Sequence, residues 1–280
     1  MKCLFVSDLH GKRYDALFST VNARKPDLVL IGGDILSPVE PGMALENFLA
    51  RIKETGVEFY VIMGNDDPRL FEEMFIEADR QGILHYVHER SVELHSASST
   101  SSDKSAPLFI AGLSYVPPTP FQLKDWERYD VSRFVDVGVL SPEEGFRTVP
   151  VPSNEIRNYT IREGLDTLAA LSPPSQTIYL LHSPPHKTPL DRADIEGVMV
   201  DHAPVDPHIG SIAVSRFIEQ YQPLLTLHGH VHESRSLTGE WRTRIGSTHC
   251  FSAANDTEEL AVVEFDTKDL NGARLELVGV

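Results

Sequence analysis

The stretch "LFVSDLHG" (residues 4–11) decides the fold of this chain. Its apolar half is typical of a buried strand, and it ends in Asp8 and His10, two residue types that bind metal ions. Two further segments repeat this design, "LVLIGGD" (28–34) and "YVIMGND" (60–66). In an open α/β sheet, functional side chains gather at the carboxyl ends of the strands, so we expect these segments to meet at one sheet edge.

Amphipathic helical patterns separate these strands. Apolar residues at spacings of three and four lie on one helix face; they are Tyr14, Leu17, Phe18 and Val21 in the first segment and Leu45, Phe48, Leu49 and Ile52 in the second. The alternation returns later, with a helix around Ile161, Leu165 and Leu168 before "TIYLLH" (177–182), and one around Val214, Phe217, Ile218 and Tyr221 before "PLLTLHGH" (223–230). Strands that alternate with helices predict βαβ units and a parallel sheet.

The rest of the sequence predicts loops and a final set of strands. We expect residues 1–280 to form one domain. A Ser-rich surface loop is expected near 96–106. Residues 117–155 are rich in proline and charge, and we expect them to form loops and a short helix that cover another part of the protein. The loop at 186–211 is long for a compact domain, and such loops are often functional. The runs "EWRTRI", "THCFSA", "LAVVEF" and "ARLELVGV" predict a closing antiparallel run.

Composition limits the classes of function. The chain has 280 residues with 25 Lys and Arg against 41 Asp and Glu, a net charge of −16, which argues against broad nucleic-acid binding. Both cysteines lie in apolar runs and are expected to be reduced core thiols. The apolar runs are far shorter than the ~20 residues of a membrane span, and "MKCLFVS" is too short for a signal peptide. We expect a cytoplasmic protein without a membrane segment; the sequence does not reveal its oligomeric state.

Five apolar runs end in residues that can ligate metals: Asp8, His10, Asp34, Asn65, His182, His230 and His232. The set contains no cysteine, so a structural zinc site of the thiolate type is not expected. Imidazole with carboxylate suits Mn, Fe, Zn or Ni. Seven ligands are too many for one tetrahedral ion. Two metals that share a bridging carboxylate would account for all of them, and such sites clamp a phosphoryl group.

These residues form a series that resembles the calcineurin-like metallophosphoesterases: Asp8-x-His10, Gly33-Asp34, Gly64-Asn65-x-Asp67, His182 and Gly229-His230-x-His232. The resemblance covers nearly the whole chain. It implies an α/β fold, a four-layer αββα sandwich of two mixed sheets flanked by helices. It also implies two divalent ions, with manganese first and Fe, Zn, Ni or Mg as alternatives.

The resemblance also implies roles for the ligands. Asp8, His10 and His232 would hold one ion; Asn65, His182 and His230 would hold the other. Asp34 would bridge them, and a metal-bridging hydroxide would attack phosphorus in line.

One position departs from that pattern. Many relatives carry a histidine directly after Gly-Asn, where it helps to protonate the leaving group, but this chain has Asp66. A histidine donates a proton near neutrality, whereas a carboxyl does so only when its pKa is raised. We therefore assign Asp66 as the candidate catalytic residue. Its neighbour Asp67 precedes Pro68 and is expected to be the N-cap of a helix.

Other residues receive secondary predictions. Asn65 and His186 are expected to contact substrate. His228 is expected to be a strand-end histidine or a partner that orients a ligand, and His202 and His208 are expected to be solvated on their loop. Ser211 is a predicted N-cap whose helix could meet an anion. The remaining histidines are expected to be surface or structural residues; they are His85, His88, His95 and His249. Ser252 and Asn255 stand where relatives often carry an Asn-Pro-Gly-Ser segment.

The sequence thus predicts metal-dependent hydrolysis of a small phosphoester, with diesters slightly favoured over monoesters because Asp66 replaces an acid histidine. Two alternatives remain open at this stage. One is a non-catalytic interaction scaffold on the same fold, although no metal ligand is missing from the series. The other is a nuclease, against which the negative charge argues.

Overall fold

The computed structural model describes residues 1–37, 40–94 and 106–279. The strands are β1 (Lys2–Val6), β2 (Leu28–Ile31), β3 (Glu58–Val61), β4 (His85–Tyr86), β5 (Ser91–Leu94), β6 (Leu108–Leu113), β7 (Thr177–Leu181), β8 (Met199–Val200), β9 (Ala203–Pro204), β10 (Leu225–His228), β11 (Arg242–Ile245), β12 (Thr248–Ser252), β13 (Leu260–Asp266) and β14 (Asp269–Val278). The predicted Ser-rich loop lies outside the described residues except for Ala106, as does His95.

The helices are α1 (Tyr14–Arg24), α2 (Pro41–Thr55), α3 (Glu72–Arg80), α4 (Ser153–Asn158), α5 (Ile161–Leu171), α6 (Ile212–Tyr221) and α7 (Ser234–Thr238). The predicted helical faces are confirmed: every apolar residue of the α1 pattern is buried, and so are three of the four in α2. Thr160 begins α5 with a reciprocal capping box to Glu163. No helix of the described residues is long and apolar enough to cross a membrane.

The first sheet has the order β14-β13-β1-β2-β3-β4. Strands β1 to β4 run parallel, as predicted, and β13 and β14 add antiparallel strands at one edge. Val6 pairs with Ile31, and Ile31 pairs with Val61. The three central strands therefore end level with one another, which brings the loops that follow them to one place.

The second sheet has the order β11-β12-β10-β7-β6-β5. Its four central strands are parallel, and β5 and β11 are antiparallel edge strands. The predicted antiparallel run at the end of the chain is only partly correct: β12 pairs in parallel with β10 in this sheet, whereas β13 pairs with β1 in the first. An apolar run does not encode which strand becomes its neighbour.

Both faces of each sheet are buried, which explains why the strands read as continuous apolar runs. Cys3 and Phe5 belong to a cluster between the sheets that includes Ile178 and Leu227. The alternate β1 residues, Leu4 and Val6, belong to a second cluster with residues of α1, α2, α5 and α6. The chain is therefore a four-layer αββα sandwich, as the resemblance implied. The division into one domain stays a prediction.

Candidate metal centre

The parallel strands of both sheets deliver the predicted ligands to one edge of the sandwich. Strands β1, β2 and β3 of the first sheet precede Asp8, Asp34 and Asn65, and β7 and β10 of the second precede His182 and His230. The loops after β1 and β2 are tied by backbone hydrogen bonds from Asp8 N to Gly33 O and from His10 N to Asp34 O. The fold thus assembles residues that are more than two hundred positions apart in the chain.

Four of these residues form a compact first group. Asp8, His10, Asp34 and His232 each offer one ligand atom, and these atoms all lie within 4.8 Å of one another. His10 Nε2 and His232 Nε2 are 3.3 Å apart, and His232 Nε2 lies 3.4 Å from Asp8 Oδ1. Two carboxylates and two imidazoles in so small a volume match the donor set of a divalent transition-metal ion.

The remaining three residues form a second group that contacts Asp34 through His182. His182 Nε2 is 3.3 Å from Asp34 Oδ2 and 3.1 Å from the side-chain oxygen of Asn65. The His182 and His230 rings have centroids 5.3 Å apart. The Gly32 carbonyl accepts a 2.7 Å hydrogen bond from His182 Nδ1, which leaves Nε2 directed at Asp34. Asp34 therefore contacts both groups.

The backbone of the site is held in an uncommon conformation. Asp8, His10, Asp34 and His230 all have positive φ, between 47° and 73°. Such values are unfavourable for residues with a Cβ and cluster at functional sites. Gly64 has a different constraint: a Cβ there would lie 2.3 Å from Asp34 Oδ1, so a glycine is required for the loop to approach that carboxylate.

The electrostatics of the site fit a bound cation. Asp8 and Asp34 are buried, and Asp8 Oδ2 has no hydrogen-bond partner among the described residues. Burial acts to raise the pKa of Asp8, but the hydrogen bond and charge of His232 outweigh it and hold the pKa below its usual range. Burial acts to lower the pKa of His182, but the charge and hydrogen bond of Asp34 outweigh it and raise that pKa to about 10. The carboxylates thus attract positive charge, which metal ions would supply.

Asp66 and Asp67 have different environments. The Asp66 side chain is 53% exposed, and its Oδ2 lies 3.7 Å from His10 Nδ1. The charge of Asp34 first, and then partial desolvation, raise the pKa of Asp66 to about 6 although the side chain is partly exposed. The predicted N-cap role of Asp67 is wrong. Its buried carboxylate accepts backbone N–H bonds from Ile35, Leu36 and Gly64.

These bonds join the loop after β2 to the loop after β3, and a 3₁₀ turn over Arg69–Phe71 separates Asp67 from α3. Burial and the charge of Asp34 raise the pKa of Asp67 to about 7, although the three N–H bonds act to lower it. A helix-cap rule considers only the residues that follow, whereas these N–H donors come mainly from another strand's loop.

His186 lies in a cavity in front of the ligand cluster, which Asp34, Asn65, Asp66, His230 and His232 also line. Its Nδ1 has no hydrogen-bond partner in the described parts of the chain and lies 3.6 Å from the buried carboxylate of Asp191. Asp191 was not singled out by the sequence. It accepts N–H bonds from Lys187, Thr188 and Gly210, and so holds together the loop that carries His186.

Two predictions for this loop need correction. His208 is not a solvated histidine, because its Nδ1 is 2.8 Å from Asp191 Oδ1; His202 is exposed, as expected. Ser211 does cap α6, but no external anion is needed there. The Asp130 carboxylate already accepts the N–H groups of Ile212 and Ala213. Asp130 lies 81 positions before Ser211, and no local pattern announces that contact.

His228 is a structural residue, as its strand-end position suggested. It is fully buried, its Nδ1 lies near the carbonyl oxygens of Leu181 and Ser183, and its Nε2 is 2.8 Å from Thr226 Oγ1. Burial lowers its pKa to about 4.

Asn255 is also structural, because its side-chain Nδ2 donates hydrogen bonds to Thr257 Oγ1 and to the Glu259 carbonyl oxygen within its own loop. Arg13, which the sequence did not indicate, donates to the carbonyl groups of Asp8 and Asn255 and so fixes that loop beside the site.

Comparisons with known proteins agree with this fold. A family model described as calcineurin-like phosphoesterase matches residues 1–234. TT1561 of Thermus thermophilus is similar in structure, with a TM-score of 0.60 and 14% identity over 99% of this chain and 98% of the other. A second solved structure has a TM-score of 0.61 and 17% identity over 99% of both chains. At these identities the likeness shows the fold alone. The comparison with curated proteins finds no match.

Proposed function

The chain belongs to the calcineurin-like phosphoesterase family, and we propose that it hydrolyses small phosphoesters at a centre of two divalent ions, with diesters preferred over monoesters. Membership supports metal-dependent phosphoester hydrolysis in general. The observation that carries the proposal is the position of Asp34. Its carboxylate belongs to the compact group with Asp8 and His232 and also lies 3.3 Å from His182 of the second group.

The proposed ligands divide around Asp34. Asp8, His10 and His232 would hold one ion, Asn65, His182 and His230 would hold the other, and Asp34 would be shared. The partnerless Asp8 Oδ2 and the two buried carboxylates support cation binding here. The donor set suits Mn first, with Fe, Zn, Ni or Mg as alternatives. When bound, such ions lower the pKa of water and offset charge on the phosphoryl oxygens.

Asp66 is the residue on which the diester preference rests. In hydrolysis, the oxygen of water bonds to phosphorus, the bond from phosphorus to the leaving oxygen breaks, and that oxygen ends with a proton or a negative charge. Two nearby cations would lower the pKa of Asp66 from about 6, which would weaken it as a proton donor. Leaving groups that need little protonation, as in activated diesters, are therefore the proposed substrates.

Asn65 and His186 are the proposed substrate contacts. Both line the cavity beside the ligand cluster. The Asn65 side-chain N–H₂ donates to Asp66 at 3.0 Å, which ties the two residues together. His186 Nδ1 lies 3.6 Å from the buried Asp191 carboxylate, so Nε2 is the ring atom that we propose contacts a phosphoryl oxygen.

The negative charge of the chain supports a small substrate over a nucleic acid, and two buried free cysteines support the proposed cytoplasmic location.

The test is the turnover of matched p-nitrophenyl mono- and diesters by protein stripped with a chelator and reloaded with Mn²⁺. We expect metal-dependent release of p-nitrophenol, faster from the diester, and a loss of at least ~10³-fold in Asp34→Ala. Asp15→Ala, which removes an 85% exposed carboxylate on α1, is the matched control. Absence of metal-dependent turnover of either ester would reject the hydrolase and favour the interaction scaffold.

A further inference from the structure

A cavity of about 970 Å³ opens directly onto the proposed metal ligands. Asp34, Asn65, His230 and His232 form its polar end. Cavities of this size accommodate a whole drug-sized ligand. The phosphoryl group at the polar end would fill only a small part of it, so the rest of the cavity is available for the remainder of the substrate.

Apolar side chains from two loops form the walls. Residues 117–139 supply one wall and residues 193–209 the other, and their large apolar members include Phe121, Val131, Phe134, Val137, Val198 and Val200. A Cβ built on Gly138 would lie 3.2 Å from Val200 Cγ2, so the two walls approach each other there. The walls away from the ligand cluster are thus mostly apolar, although Asp130, Asp136 and Asp206 also line them.

Large apolar side chains are left exposed at this cavity. Phe134 is 71% exposed and Phe121 is 59% exposed, and Val137 and Val198 are each more than 40% exposed. Clustered exposure of this kind marks a surface that buries apolar area on binding. These residues are continuous with the proposed active site, which ties the binding surface to the substrate.

The charged residues of the cavity restrict the substrate further. The described residues that line it include no lysine or arginine, while six carboxylates do line it: Asp34, Asp66, Asp130, Asp136, Asp206 and Glu233. A second phosphate, as in a nucleoside diphosphate, would face these carboxylates with no protein cation to offset its charge. An uncharged apolar group meets no such charge repulsion.

We propose that the cavity binds the uncharged apolar part, alkyl or aryl, of an amphiphilic phosphoester whose phosphoryl group sits at the metal ligands. This inference rests on the proposed hydrolysis. Burial of each additional methylene group is favourable, so affinity should rise with chain length.

The experiment uses alkyl p-nitrophenyl phosphodiesters with methyl, butyl and octyl groups, kept below micelle-forming concentrations. The leaving group is constant, so differences report binding of the alkyl part. We expect kcat/KM to rise at least ~10-fold from methyl to octyl. A 7-carboxyheptyl ester has the same length and tests the effect of a charge at the end of the chain. A benzyl ester compares an aryl group with an alkyl group. The carboxyheptyl ester should lose the gain.

Variants locate the effect in the cavity. Combined Phe121→Ser and Phe134→Ser should reduce the octyl-to-methyl ratio of kcat/KM at least ~5-fold. Phe146→Ser is the matched control, because Phe146 is 57% exposed and does not line the cavity. An octyl-to-methyl ratio near unity, or equal loss in both variants, would overturn the inference while leaving hydrolysis standing.

A binding arm separates failure of the inference from failure of the proposed function. Calorimetry with methyl-, butyl- and octylphosphonate on Mn²⁺-loaded protein requires no turnover. Tighter binding of octylphosphonate, reversed in the Phe121 and Phe134 double variant, supports the apolar site even when no ester is cleaved. Binding that is independent of chain length contradicts it.

Discussion

Asp34 and His182 come from different sheets, and the Asp34 carboxylate oxygen Oδ2 lies 3.3 Å from His182 Nε2. Asp34 follows β2 of the first sheet, and His182 follows β7 of the second. The contact therefore joins the two halves of the sandwich at the edge where the proposed ligands meet. Ions held between them would bind the folded chain only, so the site should contribute to stability as well as to chemistry.

Metal removal should therefore destabilise the protein. Saturation at about a hundredfold excess over Kd should raise the free energy of unfolding by about 2.7 kcal/mol, because the unfolded chain lacks the assembled site. The measurement is urea unfolding with Mn²⁺ and with a chelator, for the wild type and for Asp34→Ala. The increase should be clearly smaller in the variant, which keeps at most one of the two ions. An equal increase in both would show that Mn²⁺ acts elsewhere.

Asp67→Asn should destabilise the protein by about 1–3 kcal/mol. The amide presents a donor where the carboxylate now accepts three N–H bonds, and one of those donors loses its partner. Asp66→Asn is the control, since Asp66 is 53% exposed and surface changes usually cost less than about 0.5 kcal/mol. Denaturant unfolding of metal-free protein measures both, and equal effects would remove the structural role assigned to Asp67.

His88 should make stability fall in mild acid. It is buried against Tyr115 and Trp126, with Arg69 and Arg128 nearby; burial first, and then these two charges, hold its pKa well below the usual value. The unfolded chain protonates it near pH 6.5, so below that pH the unfolded state binds more protons and unfolding becomes easier. The expected loss between pH 7 and 5.5 is about 1 kcal/mol.

His88→Asn tests this pH dependence, because an amide oxygen can accept the Ser114 N–H that now bonds His88 Nδ1. The variant should lose about 1 kcal/mol less than the wild type over the same pH interval. Glu89, whose Oε2 is 3.9 Å from His88 Nε2, is unchanged in the comparison. An unchanged pH slope would mean that the folded protein protonates His88.

Asp66→His should increase the rate most for poor leaving groups. An imidazole donates a proton near neutrality, and poor leaving groups depend most on that proton. The measurement is kcat/KM over a series of aryl diesters that differ in the pKa of the phenol, with Asp66→Asn as the control for loss of charge. A uniform effect across the series would rule out an acid role at this position.

Much of the fold follows from patterns visible in the sequence. The helical spacing at Tyr14, Leu17 and Phe18 and the apolar strand runs predict the parallel core, because both arise from local periodicity. Strand ends such as Asp8 and Asp34 predict where polar side chains meet, since parallel strands finish at one edge.

Contacts between distant segments were not predictable in this way. The residues after Asp67 predict a helix cap, yet Asp67 accepts N–H groups from the loop after β2. The Asp130 carboxylate accepts hydrogen bonds at the start of α6, 81 positions later in the chain. Asp191 lies 3.6 Å from His186 Nδ1 and holds the surrounding loop together. The partner of each such carboxylate depends on tertiary placement, which no local pattern encodes. The same reason explains why β12 and β13, adjacent in the chain, lie in different sheets.

The most direct test of the central claim is the metal stoichiometry of the purified chain. Chelator-stripped protein would be dialysed against a saturating concentration of Mn²⁺, and the bound metal counted by mass spectrometry. The two-ion centre around Asp34 predicts about two ions per chain in the wild type and at most about one in Asp34→Ala. A wild-type value of one or none, or a value that is the same in both proteins, would contradict it.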